Sequence, residues 1–131
     1  NTGYYLHIIK PMGFNLKDKQ LKRAGLDYHD TAKVKIHDNL DHFIKTINPP
    51  RILAATSKVN KSYTTIRFNK NDAILFGSES NGLSEDIIRK IPKKNVFSIP
   101  MKPNNRSLNL SNAVSIIVYE SWRQHNFEGS V

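Results

Sequence analysis

The chain has no cysteine, so neither a disulfide framework nor a thiolate metal site is available to it, and a reducing, cytoplasmic setting is the natural expectation. No apolar run approaches the length of a membrane span, and no stretch reads as a signal peptide. Its five histidines, His7, His29, His37, His42 and His125, stand at no metal-ligand spacing, so no metal is expected. Acidic residues are scarce: 11 Asp and Glu face 20 Lys and Arg, a net charge of +9 that attracts polyanions, chiefly nucleic acid. A basic cluster is ordinarily a solvated face, so charge alone is weak evidence. Clustering adds weight. Lys17, Lys19, Lys22 and Arg23 share one short predicted helix, Lys58 and Lys61 flank a polar loop, and Lys102 and Arg106 sit together further on.

What is present suits one soluble domain: 131 residues, 38% hydrophobic and 24% charged. Short continuous apolar runs at Leu6–Ile9, Ile52–Thr56, Ala73–Phe76 and Val96–Ile99 predict strands buried on both faces of a parallel sheet. Helical patterns lie between them. Lys17–Ala24 stops at Gly25; Leu40, Phe43, Ile44 and Ile47 keep i, i+3, i+4, i+7 spacing before Pro49-Pro50; Ile87, Ile88 and Ile91 follow Ser84 and end at Pro92. The alternation predicts an α/β fold, a mostly parallel sheet flanked by helices. The last predicted helix, Ser111–Gln124, is apolar almost all round, which calls for cover on more than one side and, in so small a domain, for a partner subunit.

Two segments repeat one arrangement, a strand, then a polar loop, then a helix. In Ala73–Ile91 the loop carries Gly77, Glu79 and Gly82, and Ser84 caps a helix with Glu85 and Asp86 in its first turn. The glycines permit a positive φ or a close backbone approach. No Gly-Lys-Ser/Thr follows, which excludes a Walker phosphate loop, and the Gly-x-Ser-x-Gly of a nucleophile elbow is missing. In Ile99–Glu120 the loop runs Pro100, Met101, Lys102, Pro103, Asn104, Asn105, Arg106 and enters the final helix through Ser107, Asn109 and Ser111. A rigid loop ending on a helix N-terminus offers unpaired N–H groups to a polar or anionic ligand. Ordinary loop and core packing is the competing reading.

Together these segments resemble the second and third motifs of the SPOUT-class RNA methyltransferases. Leu6–Phe14 (LHIIKPMGF) and Lys22–Asp30 (KRAGLDYHD) narrow the resemblance to the small tRNA (cytidine/uridine-2′-O)-methyltransferases, the TrmL/YibK subfamily, and extend it over the whole chain. The resemblance implies a SPOUT fold with a C-terminal trefoil knot, S-adenosylmethionine as cofactor, a homodimer, and 2′-O-methylation of the wobble nucleoside in the tRNA anticodon. The family opens with a further strand and a Pro-Asn-Thr-Gly-Asn segment bearing an arginine. This chain opens at Asn1-Thr2-Gly3-Tyr4, which matches a later family segment. The resemblance therefore implies that the first motif lies outside these residues, and that tRNA binding persists here while methyl transfer is weak or absent. An RNA-binding module without catalysis is the alternative, and methylation of a base or a protein is a third.

Carried over by position, the cofactor loops are Ala55 and Thr56, Gly77 with Glu79, Ile99 and Met101, and Ser107 with Leu108. They also fall where ligands bind in open α/β sheets, at the carboxyl ends of strands. Arg106 is a permanently charged donor suited to a phosphate or a methionine carboxylate. Asn112, Ile116, Tyr119 and Arg123 form a stripe on the last predicted helix. Arg106, Asn112 and Tyr119 are thus the candidate catalytic residues, against the blander readings of a surface arginine and a packed tyrosine.

Overall fold

A computed structural model describes residues 1–10 and 33–131. The predicted helix Lys17–Ala24 with Gly25, the segment Lys22–Asp30 and the end of Leu6–Phe14 lie outside the described residues. The chain forms two compact units, Gly3–Asn48 and Pro49–Val131.

In the first unit β1 (Leu6–Ile9) pairs in parallel with β2 (Val34–His37), Leu6 opposite Val34 and Ile9 opposite His37. Helix α1 (Leu40–Ile47) follows. Asn39 caps it by accepting a 2.7 Å bond from the His42 N–H, and Asn48 ends it at φ 48°. The helix buries Phe43, a member of the predicted stripe. Beside Phe43 lies a histidine chain. Nδ1 of His7 is 2.9 Å from Nε2 of His37, and Nδ1 of His37 is 3.0 Å from Nδ1 of His42. His37 is 3% exposed, so its two ring nitrogens find their partners inside the protein.

Burial lowers the pKa of His37 below its ordinary 6.5, and the nearby His42 and Lys35 charges act in the same direction. His7 is lowered for the same first reason, with His37 and Lys35 adding to it. Both imidazoles are thus harder to protonate folded than unfolded, so the unfolded chain takes up protons first as the pH drops below about 6.5. Their contribution to stability is intact above that pH and is lost on acidification towards the lowered folded values. The thermal midpoint should therefore fall between pH 7 and pH 5, and His37→Gln should flatten that part of the profile. An equal slope in wild type and variant would exclude the histidine chain as its cause.

The second unit holds a three-stranded parallel sheet, ordered β4 (Ala73–Phe76), β3 (Ile52–Ala55), β5 (Val96–Phe97). Ala55 stands opposite both Phe76 and Phe97, so the three carboxyl ends lie level. Alternation along β3 sends Leu53 to one face and Ala54 to the other. Leu53 joins Ile66, Phe68, Phe97 and Ile117 in one buried cluster; Ala54 joins Leu83, Ile91 and Val96 in a second. Helix α3 (Leu110–Gln124) supplies Ile117 to the first, and Ile87 and Ile88 of α2 (Glu85–Lys90) pack on the second. Helices therefore cover both faces of a parallel sheet, as the sequence pattern predicted.

β5 is shorter than predicted. Beyond Phe97 the chain leaves the β3 ladder, and Ser98 instead bridges Ser62 in parallel while its N–H donates to the Lys61 carbonyl at 2.7 Å. Two polar links fix the rest of the frame. The Arg51 guanidinium grips Asp72, whose side chain is 4% exposed, with Nε–Oδ1 2.9 Å. Near the end of α3 the Gln124 side chain accepts from the Phe68 N–H and donates to the Ile66 carbonyl.

Candidate functional site

The predicted cofactor residues lie in the second unit: Ala55, Thr56 and Gly77 at the level strand ends, Glu79 in the turn after β4, Ile99 and Met101 in the chain beyond β5, and Ser107 and Leu108 ahead of α3. The Thr56 N–H donates to the Phe97 carbonyl at 2.9 Å, which ties the end of β3 to the end of β5. Gly77 directly follows β4 and crosses close over the chain at Gly82: a Cβ on Gly77 would sit 2.0 Å from the Gly82 carbonyl carbon and 2.1 Å from the Leu83 nitrogen. Gly82 itself takes φ 66°. Of the two uses that glycine permits here, Gly77 serves the close approach and Gly82 the positive φ. The Gly82 N–H closes the turn onto the Ser78 carbonyl at 2.9 Å, and the Asn81 N–H donates to the Ser78 hydroxyl.

The two strand–loop–helix segments meet through side chains. Asn109 caps α3, accepting from the Ser111 N–H at 2.9 Å, and its amide donates to the Glu79 carboxylate at 3.3 Å. The cap is thus Asn109, with Ser107 left exposed in the loop before it. Ile99 and Ala55 are partly buried against the first core cluster, whereas Met101 and Leu108 are 42% and 38% exposed. Apolar side chains uncovered beside backbone-lined strand ends are what a nucleoside slot needs.

Arg106 is exposed and has no hydrogen-bond or ion-pair partner among the described residues. In the same loop Asn104 takes φ 63°. Asn112 and Tyr119 share a face of α3 but stand two turns apart, about 10 Å along the axis. Asn112 lies beside the cap, while Tyr119, 46% exposed, stacks edge-on against Trp122 with centroids 5.8 Å apart. Sequence reasoning missed the pairing of Glu79 with Asn109 because thirty residues separate them. A shallow groove lined by Thr64, Arg67, Arg123 and His125 contains none of the predicted site residues.

Residues 1–119 match the family model described as the SpoU rRNA Methylase family. The chain belongs to this family. A relative named tRNA (cytidine(34)-2′-O)-methyltransferase, from Aeromonas hydrophila, is 48% identical over 131 residues, all of this chain and 84% of the relative. A solved structure titled for the 2-OH methylation of C/U34 on tRNA superposes with a TM-score of 0.83 at 38% identity, covering 96% of this chain and 82% of that one. The SpoU methyltransferase AviRb of Streptomyces viridochromogenes, solved in complex with AdoMet, matches with a TM-score of 0.74 over 93% of this chain and 50% of its own. At 19% identity that likeness shows the fold alone.

Proposed function

We propose that this chain transfers a methyl group from S-adenosylmethionine to the ribose 2′-hydroxyl of the wobble cytidine or uridine in the tRNA anticodon. The observation that carries the reading is 48% identity, over all of this chain and 84% of the relative, to a protein named tRNA (cytidine(34)-2′-O)-methyltransferase. The cofactor would supply an electrophilic methyl group on a sulfonium. The work left to the protein is to hold it, align the hydroxyl and assist loss of its proton.

Residues present at the strand ends fit such a cofactor. Ala55, Thr56, Gly77, Ile99 and Met101 offer main-chain groups and apolar surface, Ser107 and Leu108 close the far side, and the acceptor-only Glu79 suits ribose hydroxyls. Arg106 binds an anion of the cofactor or the RNA, and Asn112 orients the nucleoside beside the α3 cap. The trefoil knot, the cytoplasmic setting and a homodimer covering part of α3 belong to the same reading. Support for the dimer comes from Tyr119, a large side chain 46% exposed on that helix.

The test is transfer of labelled methyl groups to unmodified tRNA, followed by digestion to nucleosides, on protein whose sedimentation gives its assembly state. Label in 2′-O-methylcytidine or 2′-O-methyluridine from the anticodon is expected. Label in a base, or in ribose elsewhere, would overturn the assignment, and a sedimenting monomer at micromolar concentration would overturn the dimer.

A further inference from the structure

Two lysine-bearing segments far apart in sequence are fastened together along one side of α2. The loop after β3, residues 57–61, carries Lys58 and Lys61; the end of α2 and the turn after it carry Lys90, Lys93 and Lys94. Val59 packs on the cluster that contains Leu83, Ile87 and Ile88, which lays the loop against the helix. Each loop lysine then reaches the other segment. The Lys58 ammonium donates to the Leu83 carbonyl ahead of α2 at 3.3 Å, and the Lys61 ammonium donates to the Lys94 carbonyl beyond it at 2.7 Å. One acceptor occupies one of the three donors on each ammonium and leaves two pointing outward.

Neither segment contains an Asp or Glu, and none of the five lysines forms an ion pair among the described residues. The acids at the start of α2, Glu85 and Asp86, are engaged by Arg89. Holding five like charges together costs free energy through mutual repulsion, and a polyanion relieves it. The lysine track begins where Leu83 meets the Gly77–Gly82 crossing and runs at least the length of α2, whose six residues span about 9 Å.

We infer that Lys58, Lys61, Lys90, Lys93 and Lys94 form a docking track for the sugar–phosphate backbone of the tRNA, leading away from the cofactor loops. The inference rests on tRNA being the substrate. Lysine ammoniums are point charges that bind phosphate without reading sequence, so the track positions the RNA and leaves nucleoside choice to the site. The apolar residue between the loop lysines, Val59, packs partly buried against the second cluster, so the loop presents lysines and not an apolar side chain for a lipid surface.

The experiment compares the full chain with K90Q/K93Q/K94Q in tRNA filter binding across a salt series. All three residues are exposed, and the Lys94 carbonyl that holds Lys61 is kept, so the thermal midpoint should not move. The variant should bind tRNA at least tenfold more weakly at low salt, with the slope of log affinity against log salt smaller by about two to three. Charge reversal in K93E/K94E should weaken binding further, while the affinity for S-adenosylmethionine stays at the parent value. A parent-like slope and affinity in both variants would overturn the track and leave the methyltransferase reading standing. Failure of the parent to bind tRNA would overturn both. Loss of binding to anionic vesicles or an acidic peptide, with tRNA binding unchanged, would assign the lysines to another partner and overturn the track.

Discussion

Gly77→Ala should abolish measurable binding of S-adenosylmethionine while leaving most of the fold in place. The added methyl would stand 2.0 Å from the Gly82 carbonyl carbon, 2.1 Å from the Leu83 nitrogen and 2.4 Å from the Gly82 Cα. Carbon atoms in contact ordinarily keep about 3.5–4.0 Å apart, so the two chain segments must separate by more than 1 Å. All three obstructing atoms are backbone, and no rotamer change can move them. The Ser78–Gly82 turn would have to open, losing its 2.9 Å closing bond and the spacing between Gly77 and the neighbouring strand ends. The ladder beneath is untouched, because β4 pairs with β3 through Ala73–Phe76. Calorimetry should show affinity reduced by at least two orders of magnitude, with a thermal midpoint lowered by only a few degrees. Gly82→Ala makes the contrast: its Cβ would meet nothing within 4 Å, and the strain is that of φ 66° alone, about 1–2 kcal/mol. That variant should bind more weakly than the parent and better than Gly77→Ala. Parent-like affinity in Gly77→Ala would remove this loop from the cofactor site.

The strands legible in the sequence were short runs of mostly apolar residues, and full burial was not the condition: Leu53 and Ala54 of β3 are buried, whereas Leu6 of β1 is 49% exposed. Leu6–Ile9 and Ala73–Phe76 match the predicted bounds, and Ile52–Ala55 ends one residue early. β2 was not legible: Val34, Lys35, Ile36 and His37 alternate, and Ile36 is 42% exposed, so the run never reads as a buried strand. Helix ends were readable from their caps, with α3 beginning at Leu110 because Asn109, and not a serine beside it, makes the capping bonds. The same division holds at the site. Gly77 and Gly82 could be singled out because few residues do what they do. Glu79 with Asn109, His7 with His37, and Lys61 with Lys94 are pairs made by topology, thirty or more residues apart, and no local pattern marks them.

Arg106→Ala should lower kcat/KM for tRNA methylation by one to two orders of magnitude, and the way it does so identifies what the arginine holds. A hydrogen bond to a charged group is worth about 1.5–3 kcal/mol, and each 1.36 kcal/mol is a factor of ten in rate. The side chain is exposed, without a partner among the described residues, in a loop stiffened by Pro103 and Asn104 next to the capped start of α3. Its guanidinium is therefore free to meet an incoming anion without giving up an internal partner. If that anion is the cofactor carboxylate, the variant binds S-adenosylmethionine more weakly, and its salt dependence for tRNA matches the parent. If it is a phosphate, cofactor affinity is kept, KM for tRNA rises, and the salt slope drops by about 0.7–0.9, the value of one contact. Arg106→Lys refines the choice, because lysine restores a point charge without the planar fork. Recovery in Arg106→Lys therefore argues for a phosphate met through one oxygen, and failure argues for bidentate contact. An Arg106→Ala enzyme with parental kcat/KM, cofactor affinity and salt slope would exclude the arginine from the site. Asn112, in the first turn of α3, and Tyr119 would then be left as the candidates to orient the ribose.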